Sequence, residues 1–410
     1  MNKKNIYSSI LVLFIAFCFT YPGYGDYQTP GTGVTYTIDD LVSLSGGDLQ
    51  LVGDDYILYD KVIISPSDEL VVASGTLIVA TAEETEYFDE HLGRMVVTKT
   101  NPQILIKGSL EASNWTIKPI TDQIYTEDDF YIFRGIIISK LGHDGIAQAT
   151  ISNCTFENLI ISISVCGEGT AVIEDSTFIS TFAESTISTY FNGNTTLRNC
   201  EIDTDVVSAA SNLTIENCQI SKSVYLNNNH STLIDNCNIN GGDIAGIYAR
   251  GDSGGNIKDT GVSGQEYGVF ITSNCTLSLD NCNISDNLEC GLVVEGSAVP
   301  KLRNCTVSHS SGNVGERPAI LILEDGQPDL GTDFDPGNNT INCENGYFIY
   351  HAGNKEVNAW GNTWGTIPTS LLENFIYHQP DDQSDDDGSE FISGLIMYMN
   401  SSVNYYTLYK

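Results

Sequence analysis

The sequence predicts an all-β protein built as a solenoid of stacked coils, and three observations lead to this fold class. A six-residue phrase recurs eight times, with spacings between 18 and 24 residues. The stretches between its copies are short apolar runs flanked by Gly, Asn, Ser and Asp, which is typical of strands separated by tight turns. None of them carries a long 3.6-residue pattern, and the fixed frame of leucine-rich repeats is absent. Each repeat is therefore expected to form one coil.

The recurring phrase is an apolar residue, any residue, Asn or Asp, then Cys, Ser or Thr, any residue and a second apolar residue. If positions one, three, four and six face inward, the chain must bend between positions three and four, because strand side chains alternate between faces. Asn suits such a bend because it tolerates a left-handed backbone. The copies are residues 151–156, 173–178, 197–202, 215–220, 234–239, 257–262, 279–284 and 302–307.

Six copies contain Asn followed by Cys, and we expect these pairs to form ladders. Stacked Asn amides can bond from coil to coil, and the sulfur atoms can fill a buried corner as small apolar groups. Ser176 and Thr260 occupy the same position in two copies, which favours a need for a small side chain over a need for a disulfide partner. The pairs are Asn153–Cys154, Asn199–Cys200, Asn217–Cys218, Asn236–Cys237, Asn281–Cys282 and Asn304–Cys305.

Four further cysteines lie outside the ladder, at Cys166, Cys275, Cys290 and Cys343. Exported proteins commonly contain disulfides. These four cysteines could therefore include one disulfide, and the sequence favours no particular pair.

The repeats resemble those of right-handed parallel β-helix proteins of the pectin-lyase-like class, of the bacterial secreted or surface type. Residues 328–332 and 336–340 resemble a coil turn of such proteins, and 361–366 resembles their closing segment. The resemblance implies a right-handed parallel β-helix solenoid of roughly 10–12 coils, with an N-terminal cap and an irregular C-terminal end. Because this class includes lyases, hydrolases and adhesins, it does not settle the function.

Four segments are predicted along the chain: a signal peptide at 1–25, a cap at 26–56, the β-helix at 57–365 and a closing segment with an acidic loop at 366–410. Lys3 and Lys4 precede an apolar run at 10–17, and Gly23 and Gly25 suit cleavage before Asp26. The run is shorter than the roughly 20 residues that a membrane span needs. A membrane anchor, or lipidation at the cysteine after the run, fits less well. We therefore expect a secreted, extracellular or cell-surface protein without a transmembrane segment in its mature chain.

The charge excludes one class of partner. The chain has 53 Asp and Glu against 18 Lys and Arg, a formal net charge of −35. Nucleic-acid binding is not expected, because it depends on cationic contacts with phosphates. Polyanionic glycans would also be repelled unless divalent cations mediate. No cofactor is predicted, although surface carboxylates make calcium binding possible.

No recognisable catalytic phrase occurs, so the candidate site residues come from one coil interval, between Cys237 and Thr260. Basic residues there could abstract a proton next to a uronate carboxylate, and acidic residues there could bind substrate or calcium. The basic candidates are Arg250 and Lys258, and the acidic candidates are Asp243, Asp252 and Asp259.

Two functional classes follow. The first is a non-catalytic module that binds an extracellular polysaccharide or cell-surface component, or that has a structural or adhesive role. The second is a polysaccharide lyase or glycoside hydrolase with a degenerate site. The regular repeats and the missing catalytic phrase favour the first.

Overall fold

A computed structural model describes residues 26–80, 84–89, 94–99, 102–120, 134–140, 145–181, 186–242, 244–309, 317–344, 346–353, 355–378 and 396–399. The chain divides into two compact units, Met1–Thr204 and Asp205–Lys410, called unit 1 and unit 2. Each coil contributes strands to three sheets, called A, B and C in the order in which the chain visits them. Their strands are parallel, except that Leu49–Val52 pairs antiparallel with Asp55–Leu58 in sheet C. The predicted all-β parallel solenoid is confirmed. The predicted signal peptide and the acidic loop of the closing segment lie outside the described residues.

The strands of unit 1 follow the three-sheet order from residue 27 onward. Sheet A contains Tyr27–Gln28, Val62–Ile64, Ile104–Ile106, Arg134–Ser139, Ile161–Cys166 and Thr186–Tyr190. Sheet B contains Thr35–Thr37, Glu69–Val72, Ser109–Ser113, Gln148–Ser152, Thr170–Glu174 and Asn194–Arg198. Sheet C contains Leu49–Val52, Asp55–Leu58, Gly75–Val79, Trp115–Pro119, Thr155–Glu157, Thr177–Ile179 and Glu201–Ile202. Outside these sheets, Glu84–Asp89 pairs antiparallel with Arg94–Lys99.

The strands of unit 2 repeat this order, and sheet B ends first. Sheet A contains Asp205–Ala209, Val224–Asn227, Ala245–Arg250, Tyr267–Ile271, Cys290–Val294, Ile320–Glu324, Ile349–Gly353 and Ile376–His378. Sheet B contains Asn212–Glu216, Ser231–Asp235, Gly254–Lys258, Thr276–Asp280 and Lys301–Arg303. Sheet C contains Gln219–Ile220, Asn238–Asn240, Gly261–Ser263, Asn283–Ile284, Thr306–His309, Thr340–Cys343 and Thr363–Trp364. A 3₁₀ helix spans Thr369–Phe375, and Val357–Trp360 pairs with Ile396–Met399.

The N-terminal segment combines strands with one short helix, α1 (Ile38–Leu44). Thr37 and Asp40 form a capping box at its start, because each side chain bonds the backbone N–H of the other residue. Ile38 and Leu41 are buried, whereas Leu44 is 51% exposed. None of the helices in the described residues is long and apolar enough to cross a membrane.

A buried carboxylate fastens the loop before α1. Asp68 has no exposed surface and accepts hydrogen bonds from the backbone N–H groups of Gly31 at 2.8 Å, Gly33 at 2.9 Å and Val34 at 3.1 Å. Burial alone would raise the pKa of Asp68, but its hydrogen bonds outweigh burial and lower it below the ordinary value. The ionised carboxylate therefore stabilises this loop.

The bend of the recurring phrase lies between sheets B and C, at the predicted position. The Asn or Asp at position three has φ between 51° and 57° in all eight copies, which is the left-handed region. The expectation that this side chain faces inward is wrong, since it is exposed in every copy. At a left-handed residue the chain turns the corner, so the side chain at position three points outward and the next one points inward. The six ladder asparagines therefore lie on the surface.

Hydrogen bonds join some of these exposed side chains from coil to coil. In unit 1 the Asn199 amide donates to Asp175 at 3.1 Å. In unit 2 the Asn236 amide donates to Asn217 at 2.8 Å. The Asn304 amide instead donates to Asp280, at 2.7 Å. The amide contacts that the sequence suggested therefore occur on the outer surface of the corner.

Position four of the phrase lies in the core. Its Cys, Ser or Thr side chains are at most 5% exposed, and each donates to the backbone carbonyl two residues earlier. The corner therefore needs a small side chain with one hydrogen-bond donor, which explains why Ser and Thr can replace Cys there. None of the ten cysteines among the described residues forms a disulfide, and all ten are buried, including the four outside the ladder. Burial raises the pKa of Cys275 to about 11 and that of Cys290 to about 12, so both stay protonated and unreactive.

Candidate functional site

The predicted site residues occupy two different corners of one coil. Arg250 ends the sheet A strand and Asp252 lies in the turn that follows. Lys258 ends the next sheet B strand and Asp259 lies at the B–C bend. The five-residue strand between the two corners spans about 17 Å. The two pairs of side chains therefore do not converge. Asp243 lies outside the described residues.

Lys258 and Asp259 make contacts that stabilise the stack of coils. Lys258 Nζ lies 2.7 Å from Asp235 Oδ2, and the register places Lys258 between Asp235 and Asp280 on sheet B. Opposite charges on neighbouring strands stabilise a sheet, so a cation between two carboxylates is favourable on both sides. Asp259 Oδ1 accepts a hydrogen bond from the Asn281 amide at 2.5 Å. Both residues therefore have a structural role that needs no ligand.

Asp252 belongs to the A–B turn. Its carboxylate accepts from the Asn274 amide at 3.0 Å, and its backbone N–H donates to Asn228 at 3.0 Å. Across the part of the chain that the structure describes, no group of three or more His, Cys, Asp or Glu residues could hold a metal ion. Calcium binding remains a prediction without an assigned site.

Arg250 lies on the outer face of sheet A, next to a line of apolar side chains. Strand side chains alternate, so Arg250 shares this face with Tyr248. The parallel register aligns Tyr248 with one residue from each of the remaining seven sheet A strands of unit 2. These eight residues form what we call the aromatic stripe: Val207, Tyr225, Tyr248, Phe270, Val293, Leu321, Tyr350 and Tyr377. All of them except Val293, which is 1% exposed, are partly open to solvent.

The rings of the aromatic stripe form two groups. In the first, the centroids of Tyr225 and Tyr248 are 6.2 Å apart, and those of Tyr248 and Phe270 are 5.2 Å apart with planes inclined by 30°. In the second, Tyr350 and Tyr377 stack at 4.1 Å with planes inclined by 12°. Neighbouring rings hold one another in place, because offset stacking adds about 0.5–1.5 kcal/mol per pair beyond area burial. The stripe is therefore a fixed, ordered surface.

A second line of side chains borders the aromatic stripe. Asn227 pairs with Arg250 in register, and Thr272 and Glu295 follow the paired residues Ile271 and Val294 by one position. We call this line the edge row: Asn227, Arg250, Thr272 and Glu295. Coils lie about 4.8 Å apart and alternate outward residues about 6.6 Å apart, so the stripe is about 34 Å long and one side chain wide. The edge row supplies an amide, a guanidinium, a hydroxyl and a carboxylate along part of that length.

The charges beside the first ring group are mixed. Burial raises the pKa of Tyr248, Arg250 opposes that shift and Glu295 adds to it. Burial also raises the pKa of Tyr267, with further contributions from Glu266 and Glu289. Both tyrosine hydroxyls are therefore protonated at neutral pH and can donate hydrogen bonds.

Sequence reasoning missed the aromatic stripe, although a signal for it exists. Tyr225, Tyr248, Phe270 and Val293 each precede position four of the following phrase copy by the same number of residues. Aligning the repeats on that position would have placed them in one column. Two unit 1 residues at the same offset, Ser164 and Ser188, are buried. The aromatic column is therefore a feature of unit 2.

One family model and several solved structures are similar to this chain. A family model described as a right handed beta helix region matches residues 206–364. A crystal structure of the periplasmic alginate epimerase AlgG is similar at 13% identity, over 90% of this chain and 83% of that chain, with a TM-score of 0.45. The receptor binding domain of the Siphovirus 9NA tailspike is similar at 10% identity, over 94% and 74%, with a TM-score of 0.31. Curated protein sequences give no match.

The family model and the stacked parallel sheets define the class of this chain. It is a right-handed parallel β-helix protein, as the repeats predicted. The similar solved structures share too little identity to assign an activity to it.

Proposed function

We propose that the aromatic stripe of unit 2 binds an extracellular polysaccharide, and that the protein is a secreted or cell-surface binding module without catalytic activity. The single observation that carries this proposal is a register-aligned line of partly exposed rings on one sheet face. A pyranose ring presents C–H groups on its faces and hydroxyl groups at its edges. The faces can pack on Tyr and Phe rings, while the hydroxyls bond to Asn227, Arg250 and Thr272.

The dimensions of the stripe favour a linear polymer over a protein partner. A line about 34 Å long and 6.6 Å wide covers about 220 Å². A stable protein interface needs about 800 Å² per partner. A polysaccharide chain needs only a narrow track, because its sugars contact the protein one after another. The length of the stripe would accommodate several sugars.

The test is binding to a panel of polysaccharides in affinity gel electrophoresis. Tyr248→Ala and Tyr350→Ala should each weaken binding by up to about tenfold, which corresponds to the 0.5–1.5 kcal/mol expected of one ring contact. Phe334→Ala is the matched control, since Phe334 is 93% exposed and lies off the stripe. Equal retention of wild type and both tyrosine variants would contradict the proposal.

The same panel decides between binding and catalysis. A lyase or hydrolase would release new chain ends from one polymer, and Arg250→Ala would abolish that release if Arg250 were the base. The binding module should retard a polysaccharide without releasing products, with or without calcium. Cleavage by the wild type would replace the proposal with the enzymatic alternative.

A further inference from the structure

The charges along the aromatic stripe carry an inference about its ligand. We infer that the stripe takes a neutral polysaccharide, one without uronate or sulfate groups. This inference rests on the proposed function and names the ligand class of the same site. The relevant groups are the edge row, the residues beside Tyr267 and the overall charge of the chain.

The edge row provides one cation, Arg250, and one carboxylate, Glu295. On the other side of the first ring group, Glu266 and Glu289 lie near Tyr267. The guanidinium of Arg317 is 2.7 Å from Glu289, so that cation already has a partner. Arg250 is therefore the cation that a ligand on the edge row would meet.

An acidic polymer would need many more cations than this. A polyuronate carries one carboxylate per sugar, so a chain along the edge row would bring several negative charges against the single guanidinium of that row and next to Glu295. Each carboxylate left near a protein carboxylate at about 5 Å costs about 1 kcal/mol even in water, and more at a low-dielectric surface. The net charge of −35 adds a repulsive field during approach. A polyuronate is therefore disfavoured at every step of binding.

A neutral polymer avoids these costs and uses the groups that are present. The rings pack on uncharged sugar faces, and the hydroxyls of Tyr248, Tyr267 and Thr272 bond to sugar hydroxyls. The Asn227 amide can both donate and accept. Such a ligand brings no charge, so its affinity should depend little on ionic strength.

The experiment measures the dissociation constants of three probes at 50 mM and 500 mM NaCl: a neutral mixed-linkage β-glucan or galactomannan, a polyuronate such as polygalacturonate, and a cationic deacetylated aminoglycan. We expect the neutral polymer to bind with a change below about twofold between the two salt concentrations, and to lose affinity in Tyr248→Ala. The polyuronate should not bind at either concentration. Any retention of the cationic polymer should vanish at 500 mM NaCl and be unaffected by Tyr248→Ala.

Two variants separate failure of this inference from failure of the proposed function. Arg250→Gln and Lys258→Gln each remove one positive charge, but only Arg250 borders the stripe. Polyuronate binding that is lost in Tyr248→Ala and Arg250→Gln but kept in Lys258→Gln would overturn the neutral ligand class and leave the glycan-binding stripe standing. If the cationic polymer binds in a salt-sensitive way and this binding is lost in Tyr248→Ala, the neutral ligand class is likewise overturned and the glycan-binding stripe stands. If no probe binds in a Tyr248-dependent way, the proposed function fails and this inference fails with it.

Discussion

Substitutions at Cys218 test whether the inner corner needs a small donor side chain. Cys218 has no exposed surface, and its thiol donates to the carbonyl of Glu216 at 3.3 Å. Ser176 shows the hydroxyl alternative in another coil, since its Oγ donates to the carbonyl two residues earlier at 2.8 Å. Cys218→Ser should therefore find the same acceptor and cost about 1 kcal/mol or less.

Cys218→Asp should behave very differently, because the new carboxylate would lie next to a carbonyl oxygen in a corner without a cation. An uncompensated buried charge costs about 3–5 kcal/mol. Gln219→Asp is the matched control, since it introduces the same charge at the adjacent exposed position. Urea unfolding followed by circular dichroism gives the free energy of unfolding for all three variants. A Cys218→Asp variant as stable as Gln219→Asp would refute the buried corner, and a serine cost above about 2 kcal/mol would refute the donor argument.

Two further predictions concern charged groups away from the stripe. Asp68→Asn should cost about 2 kcal/mol at pH 7, because an amide replaces an ion that accepts backbone hydrogen bonds. The pKa of Asp68 is lower in the folded state, so its stabilisation is fully present above about pH 4 and is lost as the pH falls through the folded pKa. The difference in unfolding free energy between wild type and variant should therefore shrink as the pH is lowered below about 4, and a constant difference would contradict this. Lys258→Gln should lower the thermal unfolding midpoint at low salt but not in 1 M NaCl, because it removes the ion pair with Asp235, which salt screens. An equal decrease of the midpoint at both salt concentrations would indicate that Lys258 stabilises the fold by packing instead.

The fold could be predicted because the same local requirements recur in eight successive coils. The B–C bend needs a left-handed residue followed by a small inward donor, and both appear in the sequence as Asn or Asp followed by Cys, Ser or Thr. The direction of the Asn side chain could not be predicted from strand alternation. Alternation holds within a strand, whereas Asn153 and its equivalents lie at the corner where the strand ends.

The site could not be predicted from nearness in the sequence. Arg250 and Lys258 are close along the chain, but the sheet B strand between them places them at two different corners of the coil. Tyr225 and Tyr248 are 23 residues apart, and the register brings their rings to 6.2 Å. In a solenoid, the residues that can cooperate on a surface are those at the same offset in successive repeats.

Inward and outward positions of these coils are under different constraints, and this difference locates the candidate function. An inward residue must fit between the coils above and below it, so it repeats in both units as Ile, Val, Leu or a small donor. On the other face, one column of sheet A changes from the buried Ser164 and Ser188 in unit 1 to the half-exposed Tyr225 and Tyr248 in unit 2. Partly exposed rings at successive coils are not needed for packing the core. The packing of the fold does not require these rings to be aligned, whereas binding of a linear polymer along them would.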